Sequence, residues 1–293
     1  MGTIVDLLQS MADGLLFGAT YSLIGIGFTL VFGVMHKINM AYAAASIAGA
    51  YAGLVFLQWV GLPAWTVIPL ACLAGAVFGL VVYALCFLFI PLSAPLATLM
   101  STVGMLLLID EIVVHQTAGM PVNYPTLVRG MVSFGDFLLR GDLMVIFLVA
   151  VLAMAGLMYL LHRTRLGLAT RAASQQPVAA QLCGMSLGQV NAMTFTMTGA
   201  LGGIAGALIG SAVGMLSPLL IAPLTVKGLI VTVIGGLGSI PGAIIAGLVV
   251  GAAENVFQFV RGVTERDIYV MLLLFVFLVF RPGGILGADP ARS

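Results

Sequence analysis

The chain has 293 residues, 61% of them hydrophobic and only 7% charged, with a mean hydropathy of +1.20 and a net charge of +1. A soluble domain carries about 25% charged residues, so this composition cannot clothe a water-soluble surface, and the near-zero charge excludes binding built on neutralising nucleic-acid phosphates. Several apolar runs reach the ~20 residues a helix needs to span a bilayer, and the ~10-residue alternating segments of a spanning barrel are absent. The expectation is an all-α integral membrane protein, a polytopic helix bundle of eight to nine spans, with residues 1–293 forming one transmembrane domain.

The N-terminal "MGTIVDLLQSMADG" has no basic region and carries two Asp, unlike a cleavable signal peptide, and it lacks the Ser or Thr of a myristoylation motif. Spans are predicted at 12–34, 40–60, 64–90, 95–118, 142–161, 190–214, 238–260 and 267–281. The apolar piece 222–235 is long enough for a half-helix and short for a full crossing. "GGLGS" (235–239) breaks the helix behind it, and Pro241 suits the first turn of the next. A crossing and a re-entrant or broken helix near 222–241 both stay open; non-helical backbone at membrane depth requires burial in protein or a wet cavity.

With alternating spans, His36, Lys37, Arg163, Arg165, Arg171, Arg281 and Arg292 fall on one side. Arg129, Arg140, Arg261 and Arg266 fall on the other, near Asp136, Asp142, Glu265 and Asp267, together with Asp6 and Asp13. The modest Lys/Arg bias places the first group in the cytoplasm, the N-terminus outside (periplasmic) and the C-terminus inside.

Gly202, Gly206, Gly210 and Gly214 repeat every four residues, and the pairs 14/18, 49/53, 75/79, 238/242 and 247/251 repeat the spacing. Without a hydrophobic drive between helices in lipid, small residues that let backbones approach set the packing. The four-glycine stripe therefore predicts a tightly packed helix pair.

Catalytic signatures are missing: there is no HExxH, GxSxG or metal-ligand cluster, and Cys72, Cys86 and Cys183 form no CxxC. His36, His115 and His162 lie far apart near span ends. No GxxxxGK[ST] phosphate loop surrounds Lys37 or Lys227, so any ATP motor has to be a separate chain. Asp110 and Glu111 sit inside or at the outer end of a span and Glu254 sits deep in another. Intramembrane acids are rare and often functional, and interfacial or structural pairing is the plain alternative. Lys227 fits either snorkelling to the interface or facing a vestibule. Thr20, Tyr21, Ser22, Asn39, Tyr42, Ser46, Thr98, Ser101 and Thr102 offer hydroxyls and an amide without charge. They suit a path for small polar or zwitterionic cargo, or equally helix–helix hydrogen bonding.

The stretch 162–190, "HRTRLGLATRAASQQPVAAQLCGMSLGQV", is polar and long enough for two short helices on the cytoplasmic face. "QQP" interrupts the first, because the residue before proline avoids the helical region. Pro177 opens the second at its first turn, and Gly184 suits the left-handed position that ends it. Val178 and Leu182 share a face, with Met185 following. The stubby helix either presents an apolar knob to another protein or serves as a solvated connector.

Three blocks carry a resemblance: "GLLFGATYSLIGIGFTLVFGVMHKINMAYAAASIAGAY", "RLGLATRAASQQPVAAQLCGMSLGQVNAMTFTMTGALGGIAGAL" and "KGLIVTVIGGLGSIPGAIIAGLVVGAAEN" followed by "RPGGILG". In this order, over more than half the chain, they resemble the permease subunits of branched-chain (hydrophobic) amino acid ABC importers. In the middle block Arg171, Ala172, Ala180, Gly184 and Met185 match the family pattern. The resemblance implies a bacterial inner-membrane permease that pairs with a second, related permease. It also implies two ATPase subunits docked on the loop at 162–190, and a periplasmic binding protein delivering cargo from outside. ATP and magnesium would sit on the ATPase chains, this chain holding no cofactor, and the Arg171–Met185 segment would act as the coupling helix. Relatives typically read Asn-Phe-Ala-His-Gly-Glu after the first span. Here Asn39 and Ala41 match, while Tyr42, Ala43 and Ala44 replace the His, Gly and acid, and the link at 90–95 lacks basic residues. Branched-chain amino acids lead as cargo; amides, urea-like compounds and small aromatic acids stay open. The alternative is a stand-alone proton-coupled transporter using Asp110, Glu111 or Glu254.

Overall fold

The computed structural model describes residues 2–90, 95–128, 130–134, 137–262, 265–281 and 283–286. Arg129, Asp136, Arg292, Pro282 and the 91–94 part of the link lie outside the described residues. Among the described residues, eight helical segments are long and apolar enough to cross a membrane: Val5–Met35, Tyr42–Val60, Ala64–Cys86, Leu96–Thr117, Gly141–Arg163, Leu187–Val213, Pro218–Gly235 and Ile240–Arg261. A shorter apolar helix covers Asp267–Phe280.

Helix α1 (Gly2–Met35) ends at His36, whose φ is 55°. The chain then turns back through a buried stretch in which the Asn39 side chain accepts the Ala41 N–H at 3.1 Å, and α2 (Tyr42–Val60) begins. Left-handed Gly61 (φ 70°) stops α2. α3 (Val67–Cys86), α4 (Pro95–Thr117) and α5 (Gly141–Arg163) follow, then the short α6 (Arg165–Gln175) and α7 (Pro177–Leu182). α8 (Leu187–Val213), α9 (Ile221–Gly235), α10 (Ile240–Arg261) and α11 (Arg266–Phe280) complete the bundle. Between α4 and α5 the antiparallel pair β2 (Met131–Phe134) and β3 (Phe137–Arg140) forms a hairpin, in register Met131 to Arg140. The starts of α1 and α5 and the ends of α8 and α10 meet at this hairpin end. The ends of α1 and α5, helix α6 and the α9–α10 turn meet at the opposite end.

Two glycine seams hold the bundle. α1 and α10 run antiparallel with Gly14 and Gly18 against Gly247 and Gly251, and a Cβ on Gly14 would lie 2.7 Å from the Gly251 carbonyl oxygen. α3 and α8 pack through Gly75 and Gly79 against Gly199 and Gly203, backbone on backbone. Of the stripe expected to pack as one, Gly202 and Gly206 face Ser46 and Ala50 of α2, and Gly210 faces the Tyr124 ring. Gly214 has no packing role: at φ 77°, with open space around it, it terminates α8. Gly199 and Gly203, on the adjacent face, are the residues that meet α3.

A Cβ on Gly203 would overlap the Ala71 carbonyl, whereas Gly104 faces open space. Gly203→Ala is therefore expected to destabilise the protein by about 1–3 kcal/mol, the range for overpacking, and Gly104→Ala to leave it unchanged. Thermal unfolding in detergent checks this; equal midpoints for the two variants would remove the seam as a rigid element.

The broken region resolves into a helical hairpin. α9 has 15 residues, and the helical turn before it extends the apolar segment to Pro218–Gly235, 18 residues in all. What precedes it is strand-like: β4 (Met215–Leu216) pairs with β1 (Val122–Asn123). Tyr51, halfway along α2, donates to the Leu216 carbonyl at 2.7 Å, and the Gly214 carbonyl accepts the Tyr124 N–H at 3.0 Å. This irregular backbone is thus satisfied by protein groups, as a low-dielectric setting demands. At the other end, Ser239 caps α10 by accepting the Gly242 N–H at 3.2 Å. The last carbonyls of α9 receive the Ile285 N–H at 2.8 Å and the Leu286 N–H at 3.2 Å.

Candidate functional site

The polar stretch between α5 and α8 is folded. Thr164 caps α6 by accepting the Gly167 N–H at 3.2 Å, and Gly167 sits where any Cβ would overlap the Leu161 backbone, which makes the sharp α5–α6 corner possible. α6 leans on α5, α8 and α1. Gln176 breaks the helix in extended conformation and Pro177 starts α7 at its first turn. α7 ends in a two-bond left-handed cap: the Met185 N–H reaches the Ala180 carbonyl at 3.1 Å, the Gly184 N–H reaches Gln181 at 2.9 Å, and Gly184 has φ 83°. Ala180 faces inward at 4% exposure, while Val178 and Leu182 project outward at 69% and 85%. Arg171 and Pro177 are exposed; Ala172 and Met185 are half-buried.

The hydroxyl-bearing candidates are buried, apart from the half-buried Ser101. Ser22 donates to the Ile244 carbonyl at 2.9 Å, tying α1 to α10. Ser46 donates to the Tyr42 carbonyl, Thr102 to Leu99 and Thr20 to Phe17, each within its own helix. Ser101 is half-buried beside Cys86, whose thiol lies 3.6 Å from its carbonyl. The Tyr42 ring packs edge-on against Phe28. Asn39 is spent on the turn into α2, and Thr98 accepts from the buried Lys37 ammonium at 2.8 Å. Burial pulls Lys37 below its usual range. Asp110 is half-buried and Glu111 exposed on α4.

Tyr21 and Glu254 do come together, around a residue whose partners the sequence leaves unnamed. Lys227 on α9 is 7% exposed and Glu254 on α10 is 4% exposed. The Lys227 ammonium lies 2.6 Å from Glu254 Oε1 and 3.2 Å from Asp267 Oδ1 on α11. It also donates to the Tyr21 hydroxyl at 3.4 Å and stands 5.5 Å from that ring's centroid. Lys227 is thus buried in an ion pair and ties α1, α9, α10 and α11 together. Acids and bases at membrane depth persist when paired this way.

A bundle of long apolar helices, seamed by glycine and carrying a folded polar element on one face, is the architecture of a multi-pass membrane protein. The family model described as "Branched-chain amino acid transport system / permease component" matches residues 10–280, and the chain belongs to that family. The high-affinity branched-chain amino acid transport system permease protein BraD of Pseudomonas aeruginosa is 32% identical, over 98% of both chains. The corresponding permease protein LivH of Escherichia coli K12 is 31% identical over 96% of this chain and 95% of its own. LivH of Salmonella typhimurium matches at the same 31% and the same coverage.

Proposed function

We propose that the chain is the translocating subunit of an ATP-driven importer for a small amino acid, branched-chain by preference. It pairs with a second, related permease, and a soluble binding protein delivers cargo on the hairpin side. Two ATPase chains, holding ATP and magnesium, dock on α6 and α7. The N-terminus is then outside and the C-terminus inside the bacterial inner membrane. The observation that carries this reading is α7: a capped helix with two aliphatic side chains held out to water, on a chain without a phosphate loop. Family membership supports the class, and the relatives' names support the cargo.

The test is uptake of radiolabelled L-leucine into proteoliposomes. Uptake is expected only with the ATPase chains, binding protein and ATP all present, and a protonophore should not reduce it. Asp110→Asn and Glu111→Gln should keep uptake within about twofold, since exposed or half-exposed polar changes usually stay within ~0.5 kcal/mol. Proton-driven uptake by this chain alone would overturn the reading.

A further inference from the structure

Helix α4 has two unlike faces. Ile109 and Val113 are buried on the side toward α2. Gly104, Leu107, Leu108, Glu111 and His115 recur at helical spacing on the other side, and all five are exposed. Glu111 lies six residues before Thr117, the last residue of α4, hence about 9 Å along the axis from that end. The end is on the hairpin side of the bundle, because β1, which follows α4, pairs with β4, which follows α8. A helical side chain tilts toward the N-terminus of its helix. The Glu111 carboxylate therefore leans toward the middle of the span and away from the nearer surface. Glu111 and His115 make no hydrogen bond or ion pair among the described residues. An acid so placed is costly against lipid, and such residues face protein or water.

Gly104, two turns deeper on the same face, is a second and independent anomaly. Glycine is less favourable than alanine inside a helix, and elsewhere in this chain close packing accounts for it. Among the described residues, Gly104 and Gly156 of α5 are the two glycines inside a helix that have no facing atom within 4 Å. The exposed side chains near Gly156, those of Leu148, Leu152 and Tyr159, include no acid or base, so hydrocarbon suits that face. On α4 the open glycine and the open acid share one face, and hydrocarbon suits neither.

We propose that this face of α4 is where the second permease packs, with a helix of that chain crossing at Gly104 and water entering the seam at Glu111 and His115. Small residues set the closest approach of helices in lipid, which gives Gly104 its use. The occupant is a related chain and not a second copy. A twofold axis along the membrane normal brings each residue of a shared patch to the depth of its own copy. Two copies would thus set Glu111 against Glu111, whereas a related chain can place a cation or hydrogen-bond donor there. The assignment rests on the two-permease reading above and deepens it by naming the face of this chain that the partner covers.

The test uses the whole transporter in its native membrane. The photoreactive residue p-benzoylphenylalanine replaces Leu107 on α4 or, as a control, Leu152 on α5. The two positions lie at matching depth, ten residues from Thr117 and eleven from Gly141, and both side chains are exposed, so neither change removes packing within the chain. On irradiation, position 107 should form a covalent adduct with the second permease, identified by mass spectrometry, and position 152 should form none. In a second arm, Gly104→Trp should abolish co-purification of the second permease while this chain still inserts at the wild-type level, and Gly156→Trp should leave the pair intact. The cross-link decides the matter if Gly104→Trp fails to insert. An adduct at 107 with lipid alone or with a second copy of this chain overturns the interface. So does an adduct with the second permease from 152 in place of 107, or an intact pair in Gly104→Trp. A purified wild-type assembly that contains no second permease would instead overturn the two-permease reading, and this interface with it.

Discussion

Replacing Val178 and Leu182 together by Asp is expected to abolish co-purification of the ATPase chains and with it ATP-driven uptake. Both side chains project from α7 into water, so the change removes no packing within the chain. Anchoring residues at interfaces each cost about 2 kcal/mol or more when truncated, so two introduced charges should weaken docking by about a thousandfold. Membrane insertion and the unfolding midpoint should stay at wild-type values. Ala180→Asp is the contrasting variant: at 4% exposure the new charge enters the packed side of α7 and should lower the midpoint itself. Affinity chromatography and thermal unfolding on the same preparations separate the two effects. Unchanged ATPase association in the double variant would reduce α7 to a connector.

The second large effect is expected at Lys227. Lys227→Met takes the cation from Glu254, which stays buried between α9, α10 and α1. Breaking a buried pair from one side costs about 3–5 kcal/mol, whereas replacing both partners by apolar groups is often neutral. The single variant should therefore express poorly and unfold early, and Lys227→Met combined with Glu254→Leu should recover most of the loss. Asp267→Asn should cost about 1 kcal/mol or less, because half of that side chain is exposed. Matching midpoints for the single and double variants would show that the charge stranded on Glu254 is not what destabilises the single variant.

The legible parts of this protein were those governed by local rules. Apolar runs marked the long helices, and Pro177 and Gly184 marked both ends of α7, because a missing N–H and a left-handed φ act within a turn. The cap at Gly214 looked like the fourth member of a packing stripe, since a spacing of four cannot tell a helix interior from its last residue. Gly199 and Gly203 carry no such local signal, for a related reason: α8 buries two faces, and only the positions of α2 and α3 decide which glycines meet which. The Lys227 cluster draws on four helices and the strand-like bridge between 122–123 and 215–216 joins distant loops, so neither leaves a local pattern. The hydroxyl residues were readable as polar groups in apolar helices. Their bonding to nearby carbonyls is set by how deeply α1 and α2 are enclosed.

The two glycine seams also bear on how such a gene can drift. A single-base change in a glycine codon yields Ala, Ser, Cys, Val, Arg, Trp, Asp, Glu or a stop, and every amino acid in that set brings a Cβ. At Gly75, Gly199, Gly203 and Gly251 that atom would overlap a facing helix backbone, which has no rotamer to change. No one-step substitution is mild at these positions, so the seam codons should stand as fixed points while the lipid-facing sides of the same helices exchange one aliphatic residue for another.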